Sequence, residues 1–82
     1  MTRDEILAEL RRANPAARPD RLRIYADAAA QYLDAQDQLA KRGAVVRHPK
    51  TGEPIANPYL KIRDDAAKIM LSLPLDSGSI FR

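Results

Sequence analysis

Apolar positions along the chain fall into four segments with different periods. In the first, Ile6, Leu7 and Leu10 recur at i, i+1 and i+4, which places them on one face of a helix. Thr2 and Glu5 have the Thr-x-x-Glu spacing of a capping box, whose two side chains satisfy main-chain amides left unpaired at a helix start. Asn14-Pro15 ends that helix, because a residue before proline avoids helical torsions. The pattern predicts a short amphipathic helix from Arg3 to Ala13, followed by a proline-bearing connector to Pro19. The second stripe is longer and contains Leu22, Tyr25, Ala26, Ala29, Tyr32, Leu33 and Leu39, interrupted by the polar Gln36. It predicts a helix from 19 or 20 to 42. Lys41 and Arg42 sit where cations complement the helix dipole, and Gly43 suits a left-handed stop. The alanines at 26, 28, 29 and 30 admit a second helix at close range.

From 44 to 56 the pattern changes. Ala44-Val45-Val46-Arg47 reads as a strand, Pro49-Lys50-Thr51-Gly52 as a turn, and Glu53-Pro54-Ile55 as an antiparallel return confined to an edge by its proline. Asn57 then caps a last helix whose first position is Pro58. Ile62, Ala66, Ile69 and Leu73 follow at i, i+4, i+7 and i+11, and Pro74 ends the helix. The expected fold class is all-α: an antiparallel helical hairpin over 20–74 carrying a small β arm at about 44–56. Residues 1–19 precede it as a short helix and connector, and 75–82 follow as a tail. The sequence leaves open whether the first helix packs on the hairpin or swings free. It also leaves open whether Ile80 and Phe81 fold back on the core or, with Arg82, form a docking peptide for a partner.

Composition narrows the chemistry. With 82 residues there is one domain with a small core, no cysteine and a single histidine, His48. Disulfides, a cysteine nucleophile and a zinc finger are excluded. Small domains without such staples often gain stability by oligomerising. No apolar run approaches the ~18 residues of a membrane span, and the start Met1-Thr2-Arg3-Asp4-Glu5 lacks a signal-peptide layout. A cytoplasmic protein without membrane association is expected.

A net charge of +3 decides little, but its distribution says more. Arg11, Arg12, Arg18, Arg21 and Arg23 occupy thirteen residues that contain one acid, Asp20. Lys41, Arg42, Arg47 and Lys50 form a second cluster with no acid between them. Both are candidates for contacting phosphates. Neither is interleaved with aromatics as in single-strand readers. Asp27, Asp34, Asp37 and Asp64-Asp65 read as a solvated polar face, His48 as an exposed loop residue, and the isolated Gly43, Gly52 and Gly78 form no phosphate-binding loop. No enzymatic activity, cofactor or metal is expected.

Two stretches carry a family resemblance. The first runs from Tyr25-Ala26-Asp27-Ala28-Ala29-Ala30-Gln31-Tyr32-Leu33 into Leu39-Ala40-Lys41-Arg42-Gly43-Ala44-Val45-Val46. After a turn at 49–52 comes the second, Asn57-Pro58-Tyr59-Leu60, then a helix starting Lys61-Ile62-Arg63 and the ending Leu73-Pro74-Leu75-Asp76-Ser77. In order and spacing these resemble the phage terminase small subunits, over roughly residues 22–77. The resemblance implies a non-enzymatic part of a DNA-packaging motor. Such a part forms a homo-oligomeric ring, binds double-stranded DNA, and recruits or regulates the large terminase subunit with its ATPase and nuclease. Members carry a longer basic N-terminal extension and a Ser-Arg-rich ending, which this chain lacks. Low sequence specificity is therefore expected, as in a gene transfer agent derived from a bacteriophage. Tyr25, Ala29, Tyr32, Ile62 and Ile69 are the expected oligomer contacts, and the two basic clusters the expected DNA contacts. A helical adaptor that binds only protein is the alternative.

Overall fold

The computed structural model describes residues 1–81, so Arg82 of the expected docking tail lies outside the described residues. The chain forms α1 (Arg3–Ala13), α2 (Pro19–Arg42), β1 (Val45–Arg47), β2 (Pro54–Ala56) and α3 (Tyr59–Ser72). It is mostly helical with one small antiparallel sheet, as the periodicity predicts.

The capping box of α1 closes in both directions. Thr2 Oγ1 accepts from the Glu5 amide at 3.2 Å, and the Thr2 amide donates to Glu5 Oε1 at 3.0 Å. At the other end the Asn14 amide donates to Leu10 O at 2.8 Å before Pro15 stops the helix. α1 then lies along the first half of α2, and Arg3 at its start pairs with Asp27. Ile6 and Leu10 are the largest fully buried side chains. They meet Leu22, Tyr25, Ala26, Ala29 and Ile80 in one cluster. Each such burial is worth ~1.5–3 kcal/mol relative to exposure, so α1 is part of the core and does not swing free.

α3 returns antiparallel along the other flank of α2. The fully covered residues along this second half are small: Ala28, Ala35 and Ala66. Alanine permits close helix approach but buries few methylene groups. Larger residues therefore stay outside, with Ile62 and Ile69 about two-fifths exposed and Leu71 87% exposed. The result is an elongated molecule, 50 × 21 × 17 Å, with its aliphatic core at the connector end.

At the opposite end β1 pairs with β2 in the register Val45↔Ala56, Val46↔Ile55 and Arg47↔Pro54. Gly43 joins α2 to this arm with φ 80° and ψ 175°, a positive-φ, extended conformation essentially confined to glycine, in place of the left-handed stop expected from sequence. Asn57, only 3% exposed, holds the junction together. Its Nδ2 donates to Gly43 O at 2.9 Å, its amide donates to Ala44 O at 2.8 Å, and its Oδ1 accepts from the Tyr59 amide at 3.1 Å. Pro58 already has helical torsions, so Asn57 caps α3 as its sequence position suggests.

Beyond Pro74 the chain turns back onto α1. Asn14 Oδ1 accepts from the Asp76 amide at 2.8 Å while its Nδ2 donates to Asp76 O at 2.7 Å. The Ser79 amide donates to Glu9 Oε1 at 3.1 Å. Between them Gly78 sits at φ 60°, where an added Cβ would meet Glu9 Oε1 at 2.5 Å and Ala13 Cβ at 3.3 Å. Ile80 then enters the core, 7% exposed, and Phe81 packs edge-on against Tyr32 with centroids 5.6 Å apart. The docking-peptide expectation is thereby corrected for Ile80, whose apolar surface is already spent inside the protomer.

Candidate nucleic-acid interface

The last turn of α1, the connector and the first turns of α2 bring Arg11, Arg12, Arg18, Arg21 and Arg23 to one end of the molecule. They are not equivalent there. Arg12 is tied to Glu9, with Nε donating to Oε2 at 3.1 Å, and this pairing with the Ser79 amide holds the Glu9 carboxyl down at about 2. Arg18 and Arg21 line a shared cleft of about 360 Å³ beside Asn14, Pro15, Pro74 and Leu75. Arg23 follows Arg21 by two residues and so points ~160° away around the helix, toward the face that carries Asp27. Among the described residues Arg11, Arg18, Arg21 and Arg23 make no ion pair, which leaves their charge available to an outside anion.

The second cluster stands at the far end. Lys41 is paired with Asp37 at 2.9 Å, and Arg42 is exposed in the last turn of α2. In the arm, Arg47 Nη1 donates to Gly52 O at 3.1 Å, which pins the guanidinium across the turn. His48 is half-buried and structural. Its Nδ1 accepts from the amides of Lys50 at 3.1 Å and Thr51 at 3.3 Å, so the ring organises the turn that displays Lys50. From Arg18 to Arg42 the helix rise amounts to ~36 Å, so the two clusters do not form one patch.

Asp27, Asp37, Asp64 and Asp65 are each matched to a neighbouring base, Arg3, Lys41, Arg63 and Lys61 respectively, on exposed faces. Among the described residues no group of three or more acids and histidines could hold a metal ion. No described helix is long and apolar enough to cross a membrane.

The five positions expected at an oligomer contact divide sharply. Tyr25 and Ala29 are buried within the protomer, where α1 and the tail cover them. Tyr32 is half-buried under Phe81, whereas Ile62 and Ile69 face outward.

The family described as phage terminase, small subunit, matches residues 2–76. The chain belongs to that family. Its role is accordingly in phage DNA packaging, and small terminase subunits are generally regulatory and not catalytic. Comparison with curated proteins and with solved structures gives no match. In this small terminase subunit the match begins at the capping box and therefore takes in α1, which the motif resemblance from residue 22 onward did not include. The structure also supplies the reason for the Asn-Pro motif: only Asn57 can donate to Gly43 O and accept from Tyr59 N at once, locking the arm between α2 and α3. Sequence reading missed Glu9 and the clasp of Asn14 on Asp76, and took His48 as exposed where it is half-buried, because their partners, Ser79, Asp76 and the Lys50 and Thr51 amides, are fixed by the tail and turn conformations.

Proposed function

We propose that this chain is the small terminase subunit of a phage or phage-derived DNA-packaging motor. In this reading it assembles as a homo-oligomer, binds double-stranded DNA with low sequence specificity, and presents the DNA to the large terminase subunit. Family membership across residues 2–76 carries the reading. The unpaired arginines at the connector end and the basic arm tip support its DNA-binding part, because each is exposed and free of intramolecular acids. Exposed guanidinium and ammonium groups without internal acids are suited to contacts with phosphates.

Duplex binding measured as a function of salt tests this. Each phosphate contact contributes ~0.9 to the slope of log K against log salt. Arg18→Gln with Arg21→Gln therefore lowers the slope by about 2, and Arg47→Gln with Lys50→Gln does the same independently. Two unrelated duplexes of equal length bind within a fewfold of each other. Binding without salt dependence, or slopes unmoved by both pairs of substitutions, would count for the protein-only adaptor and against the DNA role.

A further inference from the structure

Residues 48–53 close the β arm, and every main-chain N–H in them has a partner. The His48 amide donates to Glu53 O at 2.8 Å, the Gly52 amide to His48 O at 2.9 Å, and the Glu53 amide to Thr51 Oγ1 at 3.3 Å. Pro49 has no amide hydrogen. That leaves Lys50 and Thr51, whose two amides converge on a single atom, His48 Nδ1, at 3.1 and 3.3 Å. A ring nitrogen accepts in this way only while it carries no proton. In neutral imidazole one nitrogen holds the hydrogen and the other offers a lone pair, whereas in imidazolium both are donors. The geometry therefore requires the neutral tautomer with hydrogen on Nε2. A proton added to Nδ1 would face two N–H groups at those same distances, and both amides would lose their acceptor.

We propose that His48 is a proton-sensitive latch on the arm turn: in its neutral form it holds the Lys50 and Thr51 amides, and taking up a proton releases them. Histidine is the side chain whose charge ordinarily changes between pH ~5 and ~8, so the two bonds are present at the alkaline end of that range and lost as the pH falls through it. What the latch governs is the placement of the arm's two cations. Lys50 is itself one of the latched residues, and Arg47 Nη1 reaches across the turn to Gly52 O at 3.1 Å, directly after the other. The charged groups around the ring are the arm's own: Arg47 in β1, Lys50 in the turn and Glu53 at its end. Among the described residues none of the three is ion-paired. Each strand has only three residues, so the turn's bonds are a large share of what fixes the arm tip. The latch goes beyond the DNA-binding reading and does not depend on it.

Nitrogen-resolved NMR of the full chain from pH 8 to pH 5 tests the latch directly. His48 is the one histidine, so its ring signals stand alone. At pH 8 the ring shows hydrogen on Nε2 and none on Nδ1. As it titrates, the Lys50 and Thr51 amide signals move with the same midpoint. Their protection from exchange, corrected for the intrinsic effect of pH, falls ~2–10-fold, the worth of one hydrogen bond. His48→Asn supplies the contrast: its Oδ1 takes the place of Nδ1, accepts from the same amides as in an Asx turn and does not titrate, so both amides hold still. A ring with hydrogen on Nδ1 at pH 8 overturns the proposal, as do Lys50 and Thr51 amides that stay fixed while the ring titrates. The same movement in His48→Asn would assign it to another group and overturn the latch as well. Duplex binding enters none of these measurements, so failure of the latch leaves the packaging reading standing.

Discussion

Truncating the tail's anchor, Ile80→Ala, distinguishes a tail that completes the core from one that serves a partner. Ile80 is 7% exposed and sits with Ile6, Leu10, Leu22 and Tyr25, at the seam where α1 meets α2. Removing its outer methyl and methylene groups loses their transfer free energy and leaves a cavity, together ~2–4 kcal/mol for an aliphatic side chain cut to alanine. A domain of 82 residues has ~4–12 kcal/mol of stability in total, so the loss is a large fraction of it. At ~4–8 °C per kcal/mol for a chain of this size, the melting temperature falls by about 10–25 °C. Phe81→Ala supplies the internal control. Phe81 is 42% exposed and packs edge-on against Tyr32 at an open rim, so its removal leaves no enclosed cavity and lowers the melting temperature by less than the truncation of Ile80. Thermal unfolding followed by circular dichroism, with urea midpoints as a check, reads both variants. If Ile80→Ala melts within about 2 °C of the parent chain, or if Phe81→Ala costs more than Ile80→Ala, the tail is not part of the core and the reasoning fails.

Two further substitutions probe the junctions. Asn57→Ala leaves Gly43 O and the Tyr59 amide without their partners in a part-buried site, a loss of ~1–2 kcal/mol, and amide exchange in β1 and β2 speeds up before that in α1; unchanged arm protection would show that Asn57 is not the clamp. Glu9 is held at about 2, below its ordinary 4.5, by Arg12 first and the Ser79 amide second, so its contribution is fully present above pH ~4.5 and disappears as pH falls through about 2. The stability gap between the parent chain and Glu9→Gln should close over that window, and a Glu9 carboxyl that titrates near 4.5 by NMR would contradict the clasp.

How far the fold was legible follows from how far apart its partners lie in sequence. α1 and α2 could be bounded almost to the residue, because capping box, Asn14-Pro15, Pro19 and Gly43 act on backbone within one turn of themselves. Gly43 reads as a left-handed helix stop, yet it takes a positive-φ extended conformation in which its carbonyl meets Asn57, fourteen residues on. Asn14 reads locally as a helix stop, and its second role, gripping Asp76 across 62 residues, has no local signature. The same holds for the candidate site. Runs of arginine flanking a connector must converge at one end once α1 folds back, so that cluster was legible as a patch. That Glu9, a helical neighbour of Arg12, also receives the Ser79 amide depends on the tail folding back across 70 residues. The oligomer positions expose the deeper limit. Periodicity identifies the apolar stripe of α2 but is silent on how many neighbours cover it. Here α1 with the tail takes the half containing Tyr25 and Ala29. α3 settles against alanines on the other half, so the surplus apolar surface passes to the outside of α3, at Ile62, Ile69 and Leu71. An assembly contact can therefore be located only after the intramolecular demand on each stripe has been met.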